Sequence, residues 1–235
     1  MINALIRGKF SLNEEVKEDT LTASVFDYLF LLPDKIMWDI LRNANPENSH
    51  LPKYVGKIEA IDYWPKWSTK DIDNVRNKNY IEPDVFVEFE GALILIEAKR
   101  YDENQQKPEQ WSNHISVLRA NNEYDINVKP LLYFAIGGLF DDKPTSILVN
   151  DDTFIVSKLR WMHLLKILDK YLKNLKLSEA YSITISPQIR ILETINEALA
   201  LHGYFLPIHK WLHDIKQFKN SSKNSLENIY KWQII

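Results

Sequence analysis

Glu82-Pro83-Asp84-Val85-Phe86-Val87-Glu88-Phe89-Glu90-Gly91-Ala92-Leu93-Ile94-Leu95-Ile96-Glu97-Ala98-Lys99 is the stretch whose reading decides the fold. Two runs of β-branched and aromatic residues flank a Glu90-Gly91 break, and glycine accepts the positive φ of a tight hairpin turn. With residues 90 and 91 as a two-residue turn, Val85 pairs with Ile96 and Asp84 with Glu97. Directly opposed residues share a face of the sheet, and period-two alternation brings Lys99 to that face as well. Two carboxylates and one ammonium therefore converge at the open end of a hydrophobic hairpin.

Opposed carboxylates repel, which costs stability unless a cation lies between them. Hard oxygen ligands suit Mg²⁺ or Mn²⁺, ions that keep several waters and bridge to phosphate oxygens. A lysine beside such an ion can orient or deprotonate a water, or neutralise charge developing on a phosphorane. Metal, water and lysine together amount to metal-assisted phosphodiester hydrolysis. Pro83-Asp84, twelve intervening residues and Glu97-Ala98-Lys99 resemble the PD-(D/E)xK nuclease superfamily at every signature position. That resemblance implies a restriction-endonuclease-like α/β core, a central mixed sheet flanked by helices, spanning roughly residues 11–160. It implies Asp84 and Glu97 as ligands of Mg²⁺ or Mn²⁺, Lys99 as the catalytic lysine, and DNA as substrate, with RNA not separated from it. The plain structural alternative is an ordinary strand pair in which Lys99 makes an ion pair with Glu97.

Outward from the hairpin, Ser11 followed by Glu14 is a capping-box start for a helix running to about Leu31, before Pro33. Leu21, Val25, Phe26 and Leu29 form its apolar stripe. Glu18 projects into the middle of that stripe, with Thr22 beside it, where a carboxylate is costly unless paired or metal-bound. Members of the superfamily often carry a glutamate on the first core helix that completes the metal site. Glu18-Asp19-Thr20-Leu21-Thr22 is similar to that element, with Glu14 a weaker candidate. Favourable placement near the helix dipole explains Glu14 and Glu15 better than Glu18.

A short helix from Met37 gives way to a polar loop by His50, and Lys57–Trp64 alternates as a strand. The connection that follows carries Lys66, Lys70, Arg76 and Lys78 as candidate phosphate contacts, with Asp71 and Asp73 as loop-stabilising residues. After Lys99, a helix over Pro108–Ala120 buries Trp111, Ile115 and Leu118, with Gln106, Gln110 and His114 in an adjacent row. The superfamily often places a glutamine on this helix close to the active site. Gln110 resembles it, Gln106 is the alternative, and His114 stands where the family's tyrosine would be. Val128–Gly138 reads as a buried strand, parallel to the lysine strand because a helix connects the two. Thr153–Val156 follows a turn at Asn150-Asp151-Asp152, and a helix covers Arg160–Leu175. Ser186 is an N-cap with Pro187 at N1, opening a helix to Leu201 that Gly203 closes. Further helical segments follow from His209, and His209 with His213 lack the third ligand a zinc site needs.

The 235 residues are 45% hydrophobic and 26% charged, enough to bury a substantial core. The chain has no cysteine, which excludes disulfides, thiolate metal sites and cysteine nucleophiles. Met1–Arg7 is too short for a signal h-region and no apolar run reaches membrane-spanning length, which reads as a soluble cytoplasmic protein. Net charge is −3, split as −9 over residues 1–152 and +6 over 153–235. The basic part is a candidate phosphate-facing surface. The domain expectation is a nuclease-like core over 1–175 and a C-terminal helical extension over 176–235, offering a surface for nucleic acid, a second copy or a partner protein. The functional expectation is a Mg²⁺-dependent nuclease, a phosphodiester hydrolase by its chemistry, in a restriction, phage-defence or mobile-element setting. The alternative is a catalytically silent nucleic-acid-binding or assembly module of the same fold.

Overall fold

A computed structural model describes residues 18–70, 72, 79–101, 104–120, 124, 126, 128–179 and 185–206. Its centre is the hairpin of β4 (Val85–Phe89) and β5 (Leu93–Ala98), antiparallel with Val85 opposite Ile96 and Glu88 opposite Leu93. Phe89 N donates to Ala92 O across the turn at 2.8 Å. The register is the expected one because a one-residue slip would turn Phe86, Leu93 and Leu95 away from their core. β1 (Ile58–Tyr63) pairs antiparallel with β4, with an irregularity between Ile58 and Ala60. β6 (Leu131–Ile136) lies parallel to β5.

β8 (Asp152–Leu159) is parallel to β6, and β7 (Thr145–Val149) closes the far edge antiparallel to β8. The six-stranded mixed sheet runs in the order β1-β4-β5-β6-β8-β7. β7 is a strand beyond those expected from sequence, which predicts a turn at Asn150-Asp151-Asp152 and no strand before it. Its alternation is blurred because Leu148, on the solvent side, is 68% exposed. Asn150 and Asp151 take φ of 48° and 68°, the paired positive values of a two-residue hairpin turn. Asp152 accordingly belongs to β8 rather than to the turn. A two-stranded ribbon of β2 (Trp67–Ser68) and β3 (Tyr80–Ile81) replaces the featureless connection expected there.

Helices cover both faces, so all six residues of β5 are buried. On one face α3 (Pro108–Ala120) packs Trp111, Ile115 and Leu118 on Phe86, Leu93, Leu95, Tyr133 and Ala135. Burying each such side chain stabilises by about 1.5–3 kcal/mol. The opposite face belongs to α1 (Glu18–Leu29), α2 (Asp34–Ala44), α4 (Trp161–Glu179) and α5 (Ser186–Leu201). There Trp38 sits edge-on to Phe89 and Phe134, and Phe26 meets Trp161.

Several helix ends shift from expectation. α1 stops at Leu29, and α2 starts at Asp34 behind Pro33 rather than at Met37. α4 continues past Leu175 to Glu179, and the N-cap of α5 is Ile185 in place of Ser186. α5 packs on α1 and α4, within a compact unit that extends to Phe205. Ser11, Glu14, Glu15, His209 and His213, and the helical segments expected from His209 onward, lie outside the described residues. No helix among the described residues is long and apolar enough to cross a membrane.

β5 and β6 end side by side, and at that end Gly137 and Gly138 adopt φ of +66° and +62°. A Cβ on Gly137 would collide with the Lys99 carbonyl oxygen and lie 2.8 Å from Trp161 Nε1. A Cβ on Gly138 would lie 2.6 Å from the Cβ of Lys99. The glycine pair is the space into which the Lys99 backbone fits.

Candidate functional site

At the carboxyl end of β5 the alternation carries the α3 face from Leu93 and Leu95 on to Glu97. Asp84, one residue before β4, is 7% exposed and Glu97 is 2% exposed. Asp84 is held by two donors: Ala98 N reaches its Oδ2 at 2.7 Å and Trp64 Nε1 reaches its Oδ1 at 3.1 Å. The Ala98 bond ties the side chain across the hairpin end.

Lys99 Nζ donates to Glu97 Oε1 at 2.6 Å, Glu18 Oε1 at 3.0 Å and the Ala98 carbonyl at 3.2 Å. The other Glu18 oxygen accepts Arg100 N at 3.1 Å. Glu18 thus reaches the sheet end from the first described turn of α1, beyond the end of the apolar stripe rather than in its middle. Gln110 Nε2 donates to Glu97 Oε1 at 2.8 Å. Gln106 has a different task. Its Nε2 donates to the Glu97 carbonyl at 3.0 Å while its Oε1 accepts Trp111 Nε1 at 2.9 Å.

The structure therefore brings Glu18, Asp84, Glu97, Lys99 and Gln110 to one place. Arg76, Lys78, Asp71 and Asp73 lie outside the described residues, while Lys66 is 3.8 Å from Glu82 and over the Tyr80 ring. Three supporting groups escaped the sequence reading. Trp64 Nε1 orients Asp84, Trp161 Nε1 donates to the Lys99 carbonyl at 2.7 Å, and Tyr204 Oη donates to the Arg100 carbonyl. A buried indole N–H needs a partner. That signal was available for both tryptophans, but it does not say which acceptor is used.

Electrostatics show what the cluster lacks. Burial, then the charge of Glu97, pushes the Asp84 carboxyl well above the usual carboxylate range. Burial also raises Glu97, against the opposing pull of Lys99. For Lys99, burial works against the charged form, but Glu97, Asp84 and Glu18 outweigh it and hold the ammonium more firmly protonated than an ordinary lysine. His114 Nδ1 lies 2.9 Å from Tyr133 Oη and 3.9 Å from Glu97 Oε2. Burial, then Lys99, lowers its pKa to about 3, so the imidazole is neutral and cannot compensate the carboxylates.

Among the described residues, no three His, Asp or Glu side chains are gathered as a ready-made metal cage. The oxygens of Glu18, Glu97 and Ala98 are instead turned toward the Lys99 ammonium, the resident cation. Yet one ammonium faces three carboxylates, and Glu97 Oε2 is buried without a hydrogen-bond partner. A buried anionic oxygen left unpaired is costly. This donor set, all hard oxygen and short of positive charge, fits Mg²⁺ or Mn²⁺.

No protein-family profile and no solved structure matches the chain. It is similar to an uncharacterized protein, PM0110, of Pasteurella multocida (strain Pm70). The two are 29% identical over 243 aligned positions, covering 92% of this chain and 86% of that protein.

Proposed function

We propose that the chain is a divalent-metal-dependent nuclease of PD-(D/E)xK type, with a restriction-endonuclease-like core and DNA as its substrate. The observation that carries this reading is the meeting of Asp84, Glu97 and Lys99 at one sheet end, where Glu97 Oε2 is buried and unpartnered. Ligands on α/β sheets bind beyond the carboxyl ends of parallel strands, and β5 and β6 end there.

In this mechanism Asp84 and Glu97 would hold the ion, with Glu18 contributing from α1. When bound, the ion supplies Lewis acidity and a more acidic water. Gln110 fixes the Glu97 carboxylate by its 2.8 Å bond. Lys99, held protonated, is a donor and a source of positive charge toward phosphate oxygens as negative charge builds on them. Its backbone is fixed by Trp161 and by the two glycines, so its reach is preorganised.

The test is incubation of purified protein with plasmid DNA in Mg²⁺ or Mn²⁺, with EDTA as control. Nicking or linearisation that requires the metal is the expected result. The short Lys99–Glu97 ion pair favours the silent alternative to the extent that it neutralises the site by itself. DNA that is bound but uncut under either metal would establish that alternative.

Glu18→Gln separates the α1 carboxylate from the other two. Glu18 is one-third exposed at its side chain, so losing its charge should change stability by less than about 1 kcal/mol. Mn²⁺ affinity should fall roughly 10-fold or more, the scale seen when groups around a metal are removed. An unchanged Mn²⁺ titration would leave Glu18 as a partner of Lys99 alone.

A further inference from the structure

A cleft of about 500 Å³ lies next to the carboxylate cluster, lined by Tyr80 and Ile81 of the ribbon, Glu82, and Gln110, Asn113 and His114 of α3. Gln110 belongs to both places, because it lines the cleft while donating to Glu97 Oε1 at 2.8 Å. His114 does the same, lining the cleft 3.9 Å from Glu97 Oε2. Whatever fills the cleft therefore sits one side chain away from the proposed hydrolytic centre.

The volume is in the range of pockets for small organic groups, far too small for a duplex. The walls do not suit phosphate. Glu82 and Glu109 contribute two carboxylates against the single ammonium of Lys107, and Lys66 is drawn to Glu82 at 3.8 Å. They do suit an uncharged planar heterocycle. The amides of Gln110 and Asn113 each offer donors and an acceptor, matching the mixed hydrogen-bonding edge of a nucleobase. Tyr80, 42% exposed, supplies an aromatic surface of the kind on which bases stack. Lys66 Nζ lies 5.2 Å from its ring centroid and holds that ring by a cation–π contact.

Building on the nuclease reading, we propose that this cleft receives one unpaired nucleobase of the strand being cut. The substrate is then a single strand, or a nucleotide turned out of a duplex, because a stacked and paired base has no access to such a pocket. Phosphates flanking that base are directed to the Asp84–Glu97–Lys99 end, and the base is held by Tyr80, Gln110 and Asn113.

The test is equilibrium binding in EDTA, where no cutting occurs, read by anisotropy of labelled oligonucleotides. The set comprises a single strand, its full duplex, the duplex with one bulged nucleotide, and a single strand carrying abasic sites. Base stacking contributes about 1–3 kcal/mol per base, so the ordinary single strand should bind roughly 5- to 150-fold more tightly than the abasic one. Tyr80→Ala and Asn113→Ala should each bring it toward the abasic value and leave abasic binding unchanged. Preference for the single strand over the bulged duplex, or the reverse, identifies which source of unpaired base is used. Equal binding of abasic and ordinary strands, or wild-type binding by both variants, would overturn the inference. If the duplex is nevertheless cut in Mg²⁺, the cleft assignment alone has failed. If no oligonucleotide is bound or cut, the nuclease reading fails with it.

Discussion

Lys99→Ala is expected to cut DNA about 10²–10⁴-fold more slowly than wild type while still binding it, the cost of losing one positioned charge or proton donor. Nonspecific binding should fall steeply with salt in both proteins, because it rests on many phosphate contacts. The substitution has a second readout. Lys99 is the cation of a cluster whose Glu97 is almost fully buried, and removing one partner of a buried ion pair costs about 3–5 kcal/mol. The metal-free variant should therefore unfold at lower denaturant than wild type. Mn²⁺ should restore much of that loss, because the ion replaces the missing charge and stabilises the folded form by mass action. A variant that cuts at the wild-type rate would remove Lys99 from the chemistry.

Gly137→Ala is expected to cost about 3 kcal/mol or more of stability. A side chain in the left-handed region costs about 1–3 kcal/mol, and forcing a methyl into occupied space adds about 1–3 kcal/mol. The obstruction is specific, because the new Cβ meets the Lys99 carbonyl and the Trp161 indole that donates to it. Displacing that carbonyl moves Lys99, and a misplacement of about 1 Å at a reacting group can cost on the order of 10²-fold in rate. Gly203→Ala is the control. Gly203 also has a positive φ, of +91°, but a Cβ there would meet nothing within 4 Å. Denaturant titrations of the two variants should therefore separate strain from collision. Equal losses would mean that the glycine does not hold the lysine strand in place.

The hairpin was legible because its two runs are rich in β-branched and aromatic residues and bracket a glycine. From that register alone Asp84, Glu97 and Lys99 fall on one face. The parallel placement of β6 followed from the helix that must connect it to β5, and Pro108 marks the first turn of that helix. β7 was not legible, since Leu148 points to solvent and hides the period of two. Nor was the β2–β3 ribbon, whose strands have two residues each. At the site, the helical phase of Glu18 pointed to the right side of α1, but its contact with Lys99 spans 81 positions in sequence. The choice between Gln106 and Gln110 was open in sequence because both lie in one row. It is resolved by height along α3: Gln110 reaches the Glu97 carboxylate, whereas Gln106, before the helix, reaches the strand carbonyl. Trp64 and Trp161 support the site from distant segments, and local pattern does not say which acceptors their indole N–H groups use.

In the proposed reading Asp84 and Glu97 form a divalent-metal centre for which Lys99 is the resident counter-ion. Its test is calorimetric titration of Mn²⁺ into the metal-free protein, with Asp84→Asn and Lys99→Ala titrated alongside and circular dichroism confirming that each is folded. Saturable binding by wild type should be retained in Lys99→Ala, where no ammonium competes for the oxygens, and lost in Asp84→Asn, where a ligand charge is gone. Wild-type protein that takes up no Mn²⁺, or Asp84→Asn with the same isotherm as wild type, would mean that these carboxylates are not a metal centre.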